Sequence, residues 1–137
     1  MYQAMSDIAA ALAAEITATE RFKKVLVAQA TDGGQLYDQL ETMAATPCAI
    51  VVIGQIEYEE HGVSRTVRPM IFVVDKYRKG MTQTAAGIWD LTESILALFA
   101  PAAEVADIEW RPDNWTPIES PDGVSAAMVT LEGTEFL

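Results

Sequence analysis

PCAIVVIGQIEYEEHGVSRTVRPMIFVVDKYRK, residues 47–79, is the stretch on which the fold turns. It reads as two long strands folded back on each other, Cys48 to Tyr58 and Ser64 to Tyr77, joined by the polar turn Glu59-Glu60-His61-Gly62. Ile50, Val51, Val52 and Ile53 run together, as do Met70, Ile71, Phe72, Val73 and Val74. Uninterrupted apolar runs of this length suit strands covered on both sides. Toward the turn the pattern becomes an alternation, with Gln55, Glu57 and Glu59 on one face and Ile56 and Tyr58 on the other. The expected hairpin is buried at its base and half solvated at its tip.

Upstream of the hairpin, Met5, Ile8, Leu12 and Ile16 recur at spacings of three and four, predicting an amphipathic helix over residues 3–18. A short strand is expected from Phe22 to Ala28, then a break at Asp32-Gly33-Gly34 and a short helix from Gln35 to about Ala44. Downstream, a capping threonine (Thr82 or Thr84) opens a helix with the stripe Ile88, Leu91, Ile95, Leu98 and Phe99, which Pro101 ends. Ile108 to Arg111 reads as a short strand, Pro112 to Gly123 as a proline-bearing loop, and Val124 to about Glu132 as the last strand. This order predicts a single α+β domain over residues 1–137. Its sheet is expected to be single and mostly antiparallel, with four to five strands, a long central hairpin, and helices packed on one face.

The chain of 137 residues is long enough to bury a substantial core, and half of it is hydrophobic. No run approaches the roughly 18 to 20 apolar residues of a membrane span. Asp7 precedes the first apolar stretch and no basic segment opens the chain, so a signal peptide is not expected. One cysteine, Cys48, allows no internal disulfide, and a cytosolic protein fits best. The net charge of −11 is uneven: residues 1–79 carry ten acids and eight bases, residues 80–137 ten acids and one base, Arg111. Such acidity argues against binding nucleic acid by neutralising phosphates.

The sequence holds no catalytic signature, and no enzyme is expected. His61 lies beside Glu59 and Glu60, without the further spaced ligands a metal site needs, and reads as a solvated tip. Cys48 at a strand start reads as a small buried apolar residue. Asp32-Gly33-Gly34 lacks both glycine-rich phosphate-loop patterns, and Ser94 and Ser125 lack a nucleophile-elbow context. Neither a metal nor a cofactor is implied. Trp89 adjoins its helix stripe and is open to a core reading or a binding one, while Trp110 and Trp115 flank Pro112-Asp113-Asn114 and read either as partner anchors or as loop packing.

The opening helix with Met5-Ile8-Leu12-Ile16, the Ile50–Val74 hairpin, the helix ending Leu98-Phe99-Ala100-Pro101 and the closing Leu131-Glu132-Gly133 together form a pattern of elements. With the size and acidity, that pattern resembles the tail terminator (tail completion) proteins of long-tailed bacteriophages, including the Mu-like prophage type. The resemblance covers nearly the whole chain as an order of elements and carries no diagnostic motif. It implies a structural protein forming a ring, typically hexameric, on the tail tube, where it stops polymerisation and presents a docking surface to the head connector. The implied partners are further copies of the chain, the tube protein and the connector protein, with DNA passing through the lumen unbound and no membrane involved. The implied setting is the host bacterial cytoplasm during assembly, then the virion tail. A ring needs unlike patches that meet between neighbours. Arg65, Arg68, Lys76, Arg78 and Lys79, with Glu57 and Glu59, are the candidate self-association residues, the basic strand facing an acidic neighbour. A small α+β ligand-binding or adaptor module is the competing expectation, using the sheet face and Trp89 or Trp110.

Overall fold

A computed structural model describes residues 1–28, 47–76, 84–118 and 124–137. The elements are α1 (Met5–Thr17), β1 (Lys24–Val27), β2 (Cys48–Tyr58), β3 (Ser64–Lys76), α2 (Thr84–Phe99), β4 (Ala103–Val105), β5 (Ile108–Ile118) and β6 (Val124–Phe136). One six-stranded sheet runs in the order β1-β2-β3-β6-β5-β4. The expected glycine break at 32–34, the helix from Gln35 and the candidates Arg78 and Lys79 lie outside the described residues.

The expected fold class does not hold. The sheet has six strands rather than four or five, is mixed because β1 runs parallel to β2, and curls into a half-barrel in which strand outweighs helix. The description of helices packed on one face of the sheet also fails to capture the core. Ala49, Val51, Val67, Ile71, Val73, Val129 and Leu131 pack with both helices. The alternate residues Cys48, Ile50, Val52, Phe72, Val74 and Ala126 form a second buried cluster. Side chains alternate across a strand, so the central strands are buried on both sides at this end.

The missed strand residues have physical reasons. β4 is three residues long, too short to show a period. β5 continues through Pro112 and Pro117, where the expectation placed a loop, and pairs with β6 as far as Ile118↔Ala126. β4 pairs only with Ile108 to Trp110, so the rest of β5 lacks a β4 neighbour, and a proline there removes no hydrogen bond to that strand. Bulges interrupt the register between Ile53 and Gln55 in β2 and between Pro112 and Asn114 in β5. A bulge bends its strand and increases local twist, in keeping with the curl.

The hairpin tip closes with Gly62 N–H donating to Glu59 C=O (2.9 Å) and Glu59 N–H to Ser64 C=O (3.0 Å). Gly62 has φ +69°, a conformation in which a side chain is strained. Helix α1 buries Ile8, Ala9, Leu12 and Ile16, and α2 buries Ile88, Leu91, Ile95 and Phe99. The first contacts β1 and β2, the second β3, β5 and β6. The segment between α1 and β1 is joined to α2 by the ion pair of Arg21 with Asp90.

Candidate association surfaces

Of the basic residues expected to meet a neighbour, Arg65 and Arg68 are engaged within the subunit. Arg65 is 4% exposed, because position 65 shares the inward face of β3 with Val67 and Ile71. Its Nε donates to Glu135 Oε1 (2.8 Å), and an Nη donates to the Gln3 carbonyl (2.7 Å). The guanidinium carbon lies 4.5 Å from the Tyr2 ring centre. Burial pulls the Arg65 pKa down, but hydrogen bonds to Tyr58 and Glu135 and the Glu135 charge outweigh it, leaving the pKa above its ordinary value. Gln3 N–H donates in turn to Glu135 Oε2 (2.9 Å) and Gln3 Nε2 to the Ala106 carbonyl (2.5 Å). Arg65 therefore joins the start of the chain to the end of β6, and is corrected from a candidate contact residue to an internal clamp.

Arg68 belongs to a ladder on the opposite sheet face. Its Nη1 lies 3.2 Å from Glu57 Oε1, within ion-pair range but off the line a hydrogen bond needs, and its Nε lies 3.7 Å from Glu132. Arg111 donates to Glu132 from β5 (2.8 Å). Glu57, Arg68, Glu132 and Arg111 thus alternate in charge across β2, β3, β6 and β5. Glu57 also accepts from Gln55, and Glu59 accepts from the Ser64 hydroxyl. The Lys76 backbone pairs with Val124.

Trp110 is fully buried, its Nε1 donating to the Val105 carbonyl (3.0 Å), and so is not a surface anchor. Its ring lies against Gly133, where an added Cβ would stand 2.6 Å from Trp110 Cζ3. The sequence carried the signal: Ile108 and Trp110 alternate, and a glycine inside a strand marks a close approach. Cys48 is buried, and burial, helped by the Asp75 charge, pushes its thiol up to about 11, unsuited to nucleophilic chemistry near neutral pH.

Among the described residues, two hollows with largely apolar linings open at the surface. Trp89 (57% exposed), Thr92, Glu93 and Leu96 form one flank of α2, at spacings of three, four and seven. With Trp115 (38% exposed) from β5 they line a groove. Trp115 is opposite Val129, so β5 brings it to the α2 side of the sheet. The sequence leaves Trp89 open between core and binding; the structure puts it outside, and its pairing with Leu96 one heptad on, beside the core stripe, is the legible sign of a second face. The other surface is a hollow at the β1 end, lined by Met5, Ser6, Ala9, Val27, Ala28, Val52 and Ile53, in which Met5 and Val27 are exposed. Asp90, bonded to Arg21 from the segment between α1 and β1, lies about 100° round α2 from Trp89. The groove is formed by α2 and β5, and the hollow by the start of α1 with the end of β1 and the middle of β2.

Among the described residues, no helix is long and apolar enough to cross a membrane, and no His, Cys, Asp and Glu group has the arrangement to hold a metal ion. The sequence matches no protein-family model and no curated protein.

Proposed function

We propose that this chain is a structural virion assembly protein, a ring-forming tail terminator. In this role it caps the phage tail tube, stops tube polymerisation and offers the head-docking surface. The order of elements that resembles that family supports the reading, and one structural observation carries it. Two unlike apolar surfaces are built from different elements of one subunit, the Trp89–Leu96–Trp115 groove on α2 and β5 and the Met5–Val27 hollow on α1, β1 and β2. Head-to-tail association requires two different patches on each copy, and a rotation that closes yields a ring. Exposed apolar patches of this kind mark protein contacts.

In this proposal the partners are further copies, the tube protein and the head connector, and the protein acts in the bacterial host cytoplasm and then in the virion tail without catalysis. The net charge of −11 leaves surplus carboxylates to line a lumen that repels DNA phosphates. Mass photometry followed by negative-stain imaging tests it: rings of uniform diameter are expected, and a strict monomer at high concentration overturns it. The groove also favours a second reading, an adaptor module that seats one partner without closing a ring. That reading predicts a saturable one-to-one complex and no ring.

A further inference from the structure

The buried Arg65–Glu135 pair holds the backbone of a single residue by both of its polar groups. An Nη of Arg65 donates to the Gln3 carbonyl (2.7 Å), and Glu135 Oε2 accepts from the Gln3 N–H (2.9 Å). The Gln3 side chain donates to the Ala106 carbonyl (2.5 Å). Tyr2 lays its ring over the guanidinium (4.5 Å) and edge-on to Tyr58 (5.9 Å between ring centres), while its hydroxyl donates to the Gly62 carbonyl (3.0 Å). Each of these hydrogen bonds spans at least 60 positions of sequence. The Tyr2–Gln3 strap is therefore held as an extended peptide ligand is held, its backbone by a donor and an acceptor and its side chains by separate contacts. Such a site reads the strap and not the copy that supplies it.

The root of the strap is exposed. Ala4 precedes α1 as an extended residue (φ −64°, ψ 139°) whose side chain makes no capping bond. Met5, the next residue, is also exposed and lines the hollow proposed for contact between copies. A neighbour seated on that hollow stands beside the root, and a three-residue strap reaches about 10 Å from it. We propose that copies exchange this strap, the Tyr2–Gln3 segment of one seating on the Arg65–Glu135 pair of the next. This deepens the self-association reading and rests on it. Exchange leaves the strap's own bonds unchanged, so it costs little once other contacts hold the copies together. Strap and site are different parts of the subunit, as a head-to-tail contact requires.

The full chain with a photo-reactive phenylalanine in place of Tyr2 tests the exchange, illuminated as an equal mixture of isotopically heavy and light chains. Cross-links from position 2 to the Tyr58–Gly62 tip should join heavy chains to light ones, increasingly as concentration rises. Two further variants supply a second measurement. Tyr2→Ala/Gln3→Pro removes the strap's ring and the N–H that Glu135 accepts, and Arg65→Met/Glu135→Leu removes the site without leaving an unpaired buried charge. Each keeps the half that the other lacks, and thermal melts confirm that each is folded. In sedimentation velocity their mixture should form a one-to-one complex, about 10-fold or more tighter than either variant associates alone. Oligomers whose cross-links all stay within one chain overturn the exchange and leave self-association standing, as does the lack of any gain on mixing the two folded variants. A wild-type chain that stays monomeric at its solubility limit overturns both.

Discussion

Replacing Gly133 by alanine tests how tightly β6 is closed against β5. A Cβ at this position would stand 2.6 Å from Trp110 Cζ3 and 2.8 Å from Ile108 Cγ2. Carbon atoms ordinarily meet at about 3.5 to 4.0 Å, so the methyl overlaps its neighbours by about 1 Å. Neither neighbour has solvent to move into: Trp110 is fully buried and Ile108 is 1% exposed. Trp110 is also held by its hydrogen bond to the Val105 carbonyl. Overpacking of this kind costs about 1 to 3 kcal/mol, and losing the indole hydrogen bond adds about 1 kcal/mol. Alanine recovers about 0.5 to 1 kcal/mol through its smaller backbone entropy loss. The net expectation is a destabilisation of about 1 to 3 kcal/mol, a fall in Tm of roughly 4 to 12 °C for a chain of this size. Calorimetry supplies the Tm, and indole fluorescence reports whether Trp110 has moved. Trp110→Leu makes room for the methyl, so the combined variant should lose less than the sum of the single losses. A Gly133→Ala protein melting within about 1 °C of wild type, or strictly additive losses, would refute the close approach.

Three further outcomes follow from the core and its buried charges. Glu135→Ala leaves the Arg65 guanidinium buried without its carboxylate and should cost about 3 to 5 kcal/mol in chemical denaturation, with Glu135→Ala/Arg65→Met costing less than the two single changes together. Stability should fall as pH rises from about 9 to about 11, because the unfolded thiol ionises near its ordinary value of 9.0 while buried Cys48 holds its proton to about 11. The loss reaches about 2 to 3 kcal/mol, and denaturant titrations of Cys48→Ala should lack this part of the slope. Ile95→Ala should cost roughly 2 to 5 kcal/mol in thermal melts, since Ile95 is fully buried between α2 and the sheet; an unchanged Tm would remove it from the core.

What the sequence determined by itself was local. The apolar runs, the polar turn and the change to alternation set the extents of β2 and β3, whose described ends are Tyr58 and Ser64. The stripe Ile8, Leu12 and Ile16 placed α1, and Ile88, Leu91, Ile95 and Phe99 placed α2, because a helical period is written in neighbouring residues. Tertiary structure decided whatever depended on the residue opposite. Alternation put Arg65 in line with Val67, but a charge reads as solvent-facing until Glu135 and Gln3, from the two ends of the chain, arrive to receive its hydrogen bonds. Pro112 and Pro117 read as a loop until β6 pairs with one side of β5 while β4 stops at Trp110. Trp110 turned inward because Gly133 leaves bare backbone for its ring, and Trp89 stayed outside because the core stripe of α2 lies on the adjoining face. Burial of a charge or a large ring depends on the partners and the space that the whole fold supplies, and those come from residues far away along the chain.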